Sequence, residues 1–347
     1  MKLSTIAHYA QGYAQVADEV QALEAAGLDV VWLAESYSVD AVSAMGFLAG
    51  KTERVNIASG ILNIYSRTPA LLAMTAAGID ALSKGRFMLG LGASGPQVVE
   101  GFHAVPFDAP VSRLREVVEI CRKVWKRDEK LVHEGERYRI PLEGGTGLGK
   151  PLKIINHPVR DQIPVALATL GDRSVALTAE VADAWLPAFF MPERADAVWG
   201  DALARGGAKR DPDRAPLEVF AGGPVAIGDG LEGLRDAARA RTALYVGGMG
   251  ARDRNFYNRI FRQYGYEAEA EQIQSLFLDG RKDEAAAAVP DEFLAATSLI
   301  GPEGWVRERI AAWREAGVTA LHVSFVGETR EARVRQCEKL RELLETA

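Results

Sequence analysis

Glycines, carboxylates and one histidine, all placed where apolar runs end, carry most of the chemistry this sequence offers. The densest stretch runs from Arg86 to Phe102, where Gly90, Gly92 and Gly95 spell G-x-G-x-x-G. Glycine has no Cβ, so such a backbone can approach a flat or phosphorylated ligand closely. A dinucleotide fingerprint also needs a helix opening on the third glycine, and an acidic residue ending a second strand roughly 20 positions on. Pro96 follows instead, and residues 105–110 read VPFDAP with no second strand. What is left is a buried strand delivering a loop, Gly92, Ala93, Ser94, Gly95, Pro96 and Gln97, to one end of a sheet. A plain strand–loop turn is the alternative. Gly144 to Lys150 matches G-x-x-x-x-G-K, but Pro151 stands where the magnesium-binding hydroxyl belongs. With no helix after it, this is no nucleotide P-loop but a flexible excursion.

Other candidates are single residues. Glu35, beside Ser36, closes the apolar run DVVWL. It can orient a cofactor ring or move a proton, or merely cap the next helix. His8 is a general acid or a core histidine. Ala168, Thr169, Leu170 and Gly171 lead into a helix at Asp172. Free N–H groups and the positive end of the helix dipole make that junction an anion site. Capping by Thr169 or Asp172 is the competing reading. Arg252 and Arg254 read as a solvated helix start, with an anion-binding loop as the minor alternative. Five histidines and two cysteines show no HExxH or CxxC spacing, so no metal is expected.

These positions need elements to hold them. Apolar runs at 3–8, 29–33, 55–59, 86–92, 163–168, 183–187, 217–227 and 319–325 read as strands, each followed by an amphipathic helix. Gly27 and Gly317 end two of the helices in matching helix–Gly–strand steps. Eight alternations over about 250 residues or more predict a (β/α)8 TIM barrel, with a doubly wound open sheet as runner-up. Two segments are extra. A hairpin turning at Glu134–Gly135 and a Gly-rich excursion occupy 128–162, after the fourth helix. A helical insertion occupies 247–300, before the last strand. No linker divides residues 1–347, so one domain is expected. Trp32, Trp185 and Trp313 are expected in the core.

Of the 347 residues, 48% are hydrophobic and 25% charged, and the net charge is −6. That argues against nucleic acid or an anionic membrane as the main partner, while leaving room for a local basic pocket. No run approaches a membrane span and the N-terminus lacks a signal-peptide core, so a cytoplasmic protein is expected.

In a barrel the active site lies at the C-terminal strand ends. There the chain resembles a known family. The residues that carry the resemblance are AGLDVVWLAES (26–36), ASGILNIYSRTP (58–69), LSKGRFMLGLGASGPQVVEG (82–101), IPVALATLGDRSVALTAEVADAW (163–185), YVGGMGARDRNFYN (245–258) and AGVTALHV (316–323). In this order they are similar to the bacterial luciferase-like superfamily, and most similar to its deazaflavin-dependent reductases. The resemblance implies a barrel holding coenzyme F420, or FMN in sister branches. It implies a non-prolyl cis peptide at Gly60–Ile61 backing the ring, with Ser59 and Asn63 flanking it. It implies a ring and ribityl wall at Gly92, Ala93, Ser94 and Gln97, and phosphate contacts at Ala168, Thr169, Leu170 and Gly171. Some sugar-phosphate dehydrogenases of this type carry Asp-His where this chain has Glu35-Ser36. The catalytic expectation therefore falls on Glu35 as a proton donor with a raised pKa, and on His8. The expected activity is hydride transfer to or from a small molecule in a homodimer. The alternatives are an FMN-dependent monooxygenase and a non-catalytic flavin-binding protein.

Overall fold

Continuous apolar runs form strands buried on both faces, and the amphipathic stretches between them form helices that cover the sheet. The computed structural model describes residues 1–7, 12–250 and 252–346. In chain order the strands are β1 (Lys2–Ala7), β2 (Val30–Leu33), β3 (Asn56–Ser59), β4 (Leu62–Asn63), β5 (Phe87–Gly92), β6 (His133–Glu134), β7 (Arg139–Ile140), β8 (Val165–Leu167), β9 (Ala184–Trp185), β10 (Glu218–Ala221), β11 (Pro224–Ile227), β12 (Leu299–Gly301) and β13 (Ala320–Phe325). The α-helices are α1 (Tyr13–Ala25), α2 (Ala41–Ala49), α3 (Pro69–Leu82), α4 (Pro96–Val99), α5 (Pro110–Lys126), α6 (Asp172–Val181), α7 (Ala195–Gly207), α8 (Arg239–Ala243), α9 (Phe256–Gln263), α10 (Glu267–Leu278), α11 (Lys282–Ala287), α12 (Asp291–Ala296), α13 (Glu303–Glu315) and α14 (Arg330–Thr346).

The sheet runs β1-β2-β3-β5-β8-β9-β10-β13 in parallel, and β13 pairs back to β1 from Lys2↔Ala320 to Thr5↔Val323. This closed eight-stranded barrel is the expected architecture, on the expected strands. Gly27 and Gly317 have φ of 94° and 85°, so both helix stops work as read. Inside the barrel, Ala58, Ala166, Ala184 and Ala320 are small enough to admit Trp32 and Phe220. These two rings meet edge-on at 5.1 Å.

Three features depart from the sequence reading. The seventh strand breaks at Gly222–Gly223. There a Cβ on either glycine would overlap the carbonyl oxygen of His322 or of Thr297. Beyond the break β11 stays beside β13 but takes β12 as its other neighbour, through Val225↔Leu299 to Ile227↔Gly301. The insertion therefore ends in a strand, Leu299–Gly301, where only helices were expected. Third, a one-turn helix, α4, does open directly after Gly95, with Pro96 at its first position. Proline is tolerated there because that N–H would be unpaired anyway.

The excursion after α5 begins with the expected hairpin, paired His133↔Ile140 and Glu134↔Arg139. It is anchored by one buried carboxylate on α5. Glu116 accepts the N–H groups of Glu136, Arg137 and Tyr138 at 2.9–3.2 Å, and lies 3.2 Å from the His133 ring. No helix among the described residues is long and apolar enough to cross a membrane.

Burial by itself would raise the Glu116 pKa, but the N–H donors of Arg137 and Tyr138 and the His133 ring outweigh it and hold the group below the ordinary 4.5. A carboxylate depressed in the folded state adds stability above its unfolded pKa and loses it as pH falls. We expect Glu116→Gln to be less stable than wild type at pH 7 and to show a shallower loss of stability below pH 4.5. Urea unfolding midpoints measured from pH 7 to pH 3 read both effects.

Candidate active site

The site is built on an irregularity between β3 and β5. Ala58 faces Met88, and the next pair is Leu62 with Leu91. The third strand thus takes four steps where β5 takes three, leaving one extra residue, which is a β-bulge. The Gly60–Ile61 peptide within it is cis. Gly60 still donates its N–H to Leu33 of β2, at 2.7 Å.

The bulge rests on the glycines of β5. The Ser59 hydroxyl donates to the Gly90 carbonyl and accepts the Gly90 N–H, both at 2.8 Å. A Cβ on Gly90 would overlap the Ser59 carbonyl oxygen, and one on Gly92 would stand 3.0 Å from the Ile61 side chain. The G-x-G of this stretch is therefore a packing requirement. Ser59 is fully buried behind the bulge, and its hydroxyl is spent on Gly90. It shapes the wall rather than lining it. Asn63 is buried too; its Oδ1 accepts the Tyr65 N–H, and its Nδ2 has no partner among the described residues.

On the other side β5 meets the fifth barrel strand, β8. The Ala168 N–H donates to the Leu91 carbonyl at 3.0 Å, and the Ala168 carbonyl lies 3.6 Å from where a Gly92 Cβ would be. The turn after Ala168 has its carbonyls tied down. Trp185 Nε1 donates to Thr169, Trp199 Nε1 to Leu170, and the Ser174 hydroxyl to Gly171. Neither expected cap is used: the Thr169 hydroxyl pairs with Thr178, and the Asp172 carboxylate with Arg205. The N-cap is Gly171, with no side-chain cap. The first N–H groups of a helix have no partner within it, so α6 opens its positive end to the barrel mouth.

Candidates from three strand ends thus form one continuous surface: Gly60 and Ile61, then Gly92, then Ala168. Ala93 continues this edge, and Ser94, with φ of 58°, and Gln97 of α4 are exposed beyond it. His8 lies outside the described residues.

Glu35 has a different setting from the one expected. The Arg67 guanidinium grips it through both carboxylate oxygens, and Glu35 Oε2 also accepts the Ala41 N–H that opens α2, at 3.1 Å. Arg67 reaches Asp40 at 2.7 Å as well. Glu35 and Arg67 side chains are only 11% and 14% exposed. The Glu35 bond foremost raises the Arg67 pKa. Burial would raise Asp40, but bonds from Ser43 and the charge of Arg67 bring it below its usual range. A carboxylate held through both oxygens has neither free to hand over a proton. The geometry describes a brace between the loops after the second and third barrel strands.

Two residues of the mouth carried no clear signal. Arg67 lies 32 positions from Glu35, and no local spacing announces such a pair. His322 follows Ala320 on the inward face of β13, where the alternation Ala320, His322, Ser324 was the available clue. Its Nδ1 lies 3.1 Å from the Ser4 hydroxyl, and its ring meets Trp32 edge-on at 6.0 Å. Burial first, and the Arg241 charge second, push its pKa down to about 4, so it is neutral near pH 7. Trp32 is fully buried, and its Nε1 has no partner among the described residues.

The barrel with a bulged third strand and an open α6 terminus places the chain in a class of (β/α)8 enzymes. The profile of the luciferase-like monooxygenase family matches residues 1–320. The chain belongs to that family. Among its relatives is a protein of Mycobacterium tuberculosis, provisionally named a coenzyme F420-dependent oxidoreductase. It is 42% identical over 89% of this chain and 90% of its own length. The 5,10-methylenetetrahydromethanopterin reductase of Archaeoglobus fulgidus is 28% identical over 87% and 86%. The solved coenzyme F420-dependent tetrahydromethanopterin reductase of Methanopyrus kandleri superposes with a TM-score of 0.79, at 20% identity over 98% and 96% of the two chains, and so shares the fold.

Two expected outcomes follow from this geometry. Gly90→Ala forces a Cβ into the Ser59 carbonyl and should cost about 1–3 kcal/mol or more, the range for overpacking. Gly95→Ala, with open space around it, should be nearly neutral in the same urea titration. Glu35→Gln should lower the melting temperature by weakening the brace while turnover stays within about tenfold of wild type. A loss in the 10²–10⁴-fold range of general acid catalysis, with cofactor affinity intact, would restore Glu35 as proton donor.

Proposed function

We propose that the protein is a coenzyme F420-dependent oxidoreductase that moves a hydride between C5 of the deazaflavin and a small organic molecule. The observation carrying this is the junction of the bulge wall with the uncapped α6 terminus, which meet through Gly92 and Ala168. A tricyclic ring with a phosphorylated side chain needs these two features side by side. The choice of F420 is supported by the name of the 42%-identical relative. When bound, the reduced deazaflavin supplies the hydride.

The chain's own residues bind and orient. Gly60 and Ile61 back the ring, and the Asn63 Nδ2, unpartnered among the described residues, is a donor beside them. Gly92, Ala93, Ser94 and Gln97 border the ring and ribityl chain. Ala168, Thr169, Leu170 and Gly171 present the α6 N–H groups to the phosphate. Glu35, with Arg67, positions the mouth, and His8 remains the candidate for proton transfer. Neutral His322 with the buried Ser4 hydroxyl, and the Trp32 N–H, form a polar floor in the barrel. The second reading, an FMN-dependent monooxygenase, draws on the family's own description.

The test is titration of the purified protein with F420 and with FMN, followed by fluorescence. F420 should bind more tightly, and bound F420 should exchange hydride with a donor or acceptor. Gly171→Asp places a negative charge at the α6 terminus and requires the Phe256 ring, 3.1 Å from the new Cβ, to shift slightly. It should lose about tenfold or more in F420 affinity, roughly 1.4 kcal/mol, with its melting temperature little changed. Unchanged affinity would move the phosphate elsewhere.

A further inference from the structure

The inserted block carries an arginine with no anion to hold. Arg241 lies on α8 and is exposed, with its guanidinium over the Tyr245 ring, 5.6 Å from the centre. Among the described residues it has no carboxylate partner and no hydrogen-bond acceptor. Arg239, two positions earlier, is by contrast held by Asp236 and Asp291. The helix α8 follows β11, which runs parallel to β13, so it lies on the side of the C-terminal strand ends. After burial, the Arg241 charge is what lowers the pKa of His322 inside the barrel. The guanidinium therefore stands over the barrel mouth.

Three aromatic rings stand beside it. Tyr245 and Tyr257 meet edge-on at 4.7 Å, and Phe189 meets each of them edge-on, at 5.6 Å and 5.5 Å. All three are half-buried. Their main chains are fixed. Phe189 follows the sixth barrel strand, β9, in a left-handed conformation with φ of 55°. The Tyr264 hydroxyl clamps that loop, donating to the Phe189 carbonyl at 2.8 Å and accepting the Met191 N–H at 3.1 Å. A bulky residue stays in this region only where its surroundings enforce it. Tyr245 lies on a five-residue π-helix, Leu244–Gly248, of the kind found mostly at functional sites. Buried Asn255 donates to the Tyr245 carbonyl at 2.8 Å and accepts the Tyr257 N–H at 2.9 Å, so one amide ties both tyrosines together. Gly247 and Gly248 lie against the Phe277 ring, which a Cβ on either would overlap.

Neither the Tyr245 nor the Tyr257 hydroxyl has a hydrogen-bond partner among the described residues. Burial first, and Tyr245 second, push the Tyr257 pKa up to about 12, so it is a neutral donor near pH 7. The cluster thus offers one guanidinium fork, two phenol donors and an aromatic wall. Stacking on a ring leaves the N–H edge of a guanidinium open, and that edge matches the two oxygens of a carboxylate. The rings add contact area for a flat apolar body.

We propose that Arg241, Tyr245, Tyr257 and Phe189 form the substrate subsite and that it takes a flat carboxylic acid, its carboxylate on Arg241 and its body against the rings. The inference rests on the oxidoreductase reading above and names the substrate class for that same mouth.

The experiment uses three probes: benzoate, its uncharged counterpart benzamide, and acetate, which keeps the carboxylate without the flat body. Each is titrated by calorimetry into the wild-type protein, Arg241→Met and Tyr257→Phe, with and without F420. Wild type should bind benzoate about tenfold or more tightly than benzamide or acetate. Arg241→Met should bring benzoate down to the benzamide level, with F420 affinity and melting temperature unchanged. Tyr257→Phe keeps the ring and should weaken benzoate about threefold or more. Benzoate should also shift the visible spectrum of bound F420, since a substrate subsite adjoins the reacting ring. Equal binding of benzoate and benzamide, a preference that survives Arg241→Met, benzoate affinity unmoved by Tyr257→Phe, or an unmoved F420 spectrum would overturn the subsite while the cofactor reading stands. Loss of F420 affinity in Arg241→Met would overturn it too, by making Arg241 part of the cofactor site. Failure of the wild type to bind F420 would overturn the oxidoreductase reading and the substrate assignment with it.

Discussion

The contact between Ser59 and Gly90 is the constraint on which the rest of the site depends. A barrel strand normally exchanges hydrogen bonds with its neighbour through the main chain alone. Here the third strand detaches for one residue, and a hydroxyl replaces the ladder by bonding both the N–H and the carbonyl of Gly90. Only glycine leaves room for the displaced Ser59 carbonyl, and Gly92 gives the same clearance to Ile61. The main-chain N–H and carbonyl of Gly90 remain paired even though the ladder is broken, which is the condition for keeping such a bulge inside a closed barrel. The wall facing the mouth consequently consists of main chain at Gly60, Gly90 and Gly92, with the Ile61 side chain packed over Gly92.

Charge is organised around this wall in two distinct ways. On one side Glu35 and Asp40 share the Arg67 guanidinium in a partly buried triad that holds the loops of the second and third strands. On the other side α6 is left uncapped, its usual capping groups turned to other partners. The first arrangement pairs its cation with two carboxylates; the second leaves a positive pole unsatisfied. Breaking one partner out of a buried ion pair is strongly unfavourable, so the triad acts as a fixed frame, and the open pole is where binding free energy is available.

Much of this was legible in the sequence because the signals were local. Each barrel strand is an apolar run buried on both faces, and each helix stop at Gly27 or Gly317 is a one-residue feature with its own backbone requirement. The hairpin at 133–140 announced itself through its turn residues. The bulge was readable only through resemblance, because nothing in ASGILN by itself dictates an extra residue. What escaped was non-local. Leu299–Gly301 is three residues long, and so short an apolar run is indistinguishable from part of a buried helix. Its partner lies in β11, more than seventy positions earlier. Arg67 and Glu35 find each other across two separate loops. His322 looked like any histidine until the alternation of β13 put it inside the barrel.

The break at Gly222–Gly223 has a consequence for how the rim of the barrel is built. Beyond the break, β11 and β12 stand above the rim as a short parallel ladder, and the helices from α8 to α12 are strung between them. Both ends of this inserted block are stitched to the same strand pair, so the block enters and leaves the barrel at a single seam. Such a cassette can change its length and its lining without altering the register of any of the eight staves beneath it. The eight-stranded frame that carries the Gly60–Ile61 bulge is in this way mechanically separate from the inserted block.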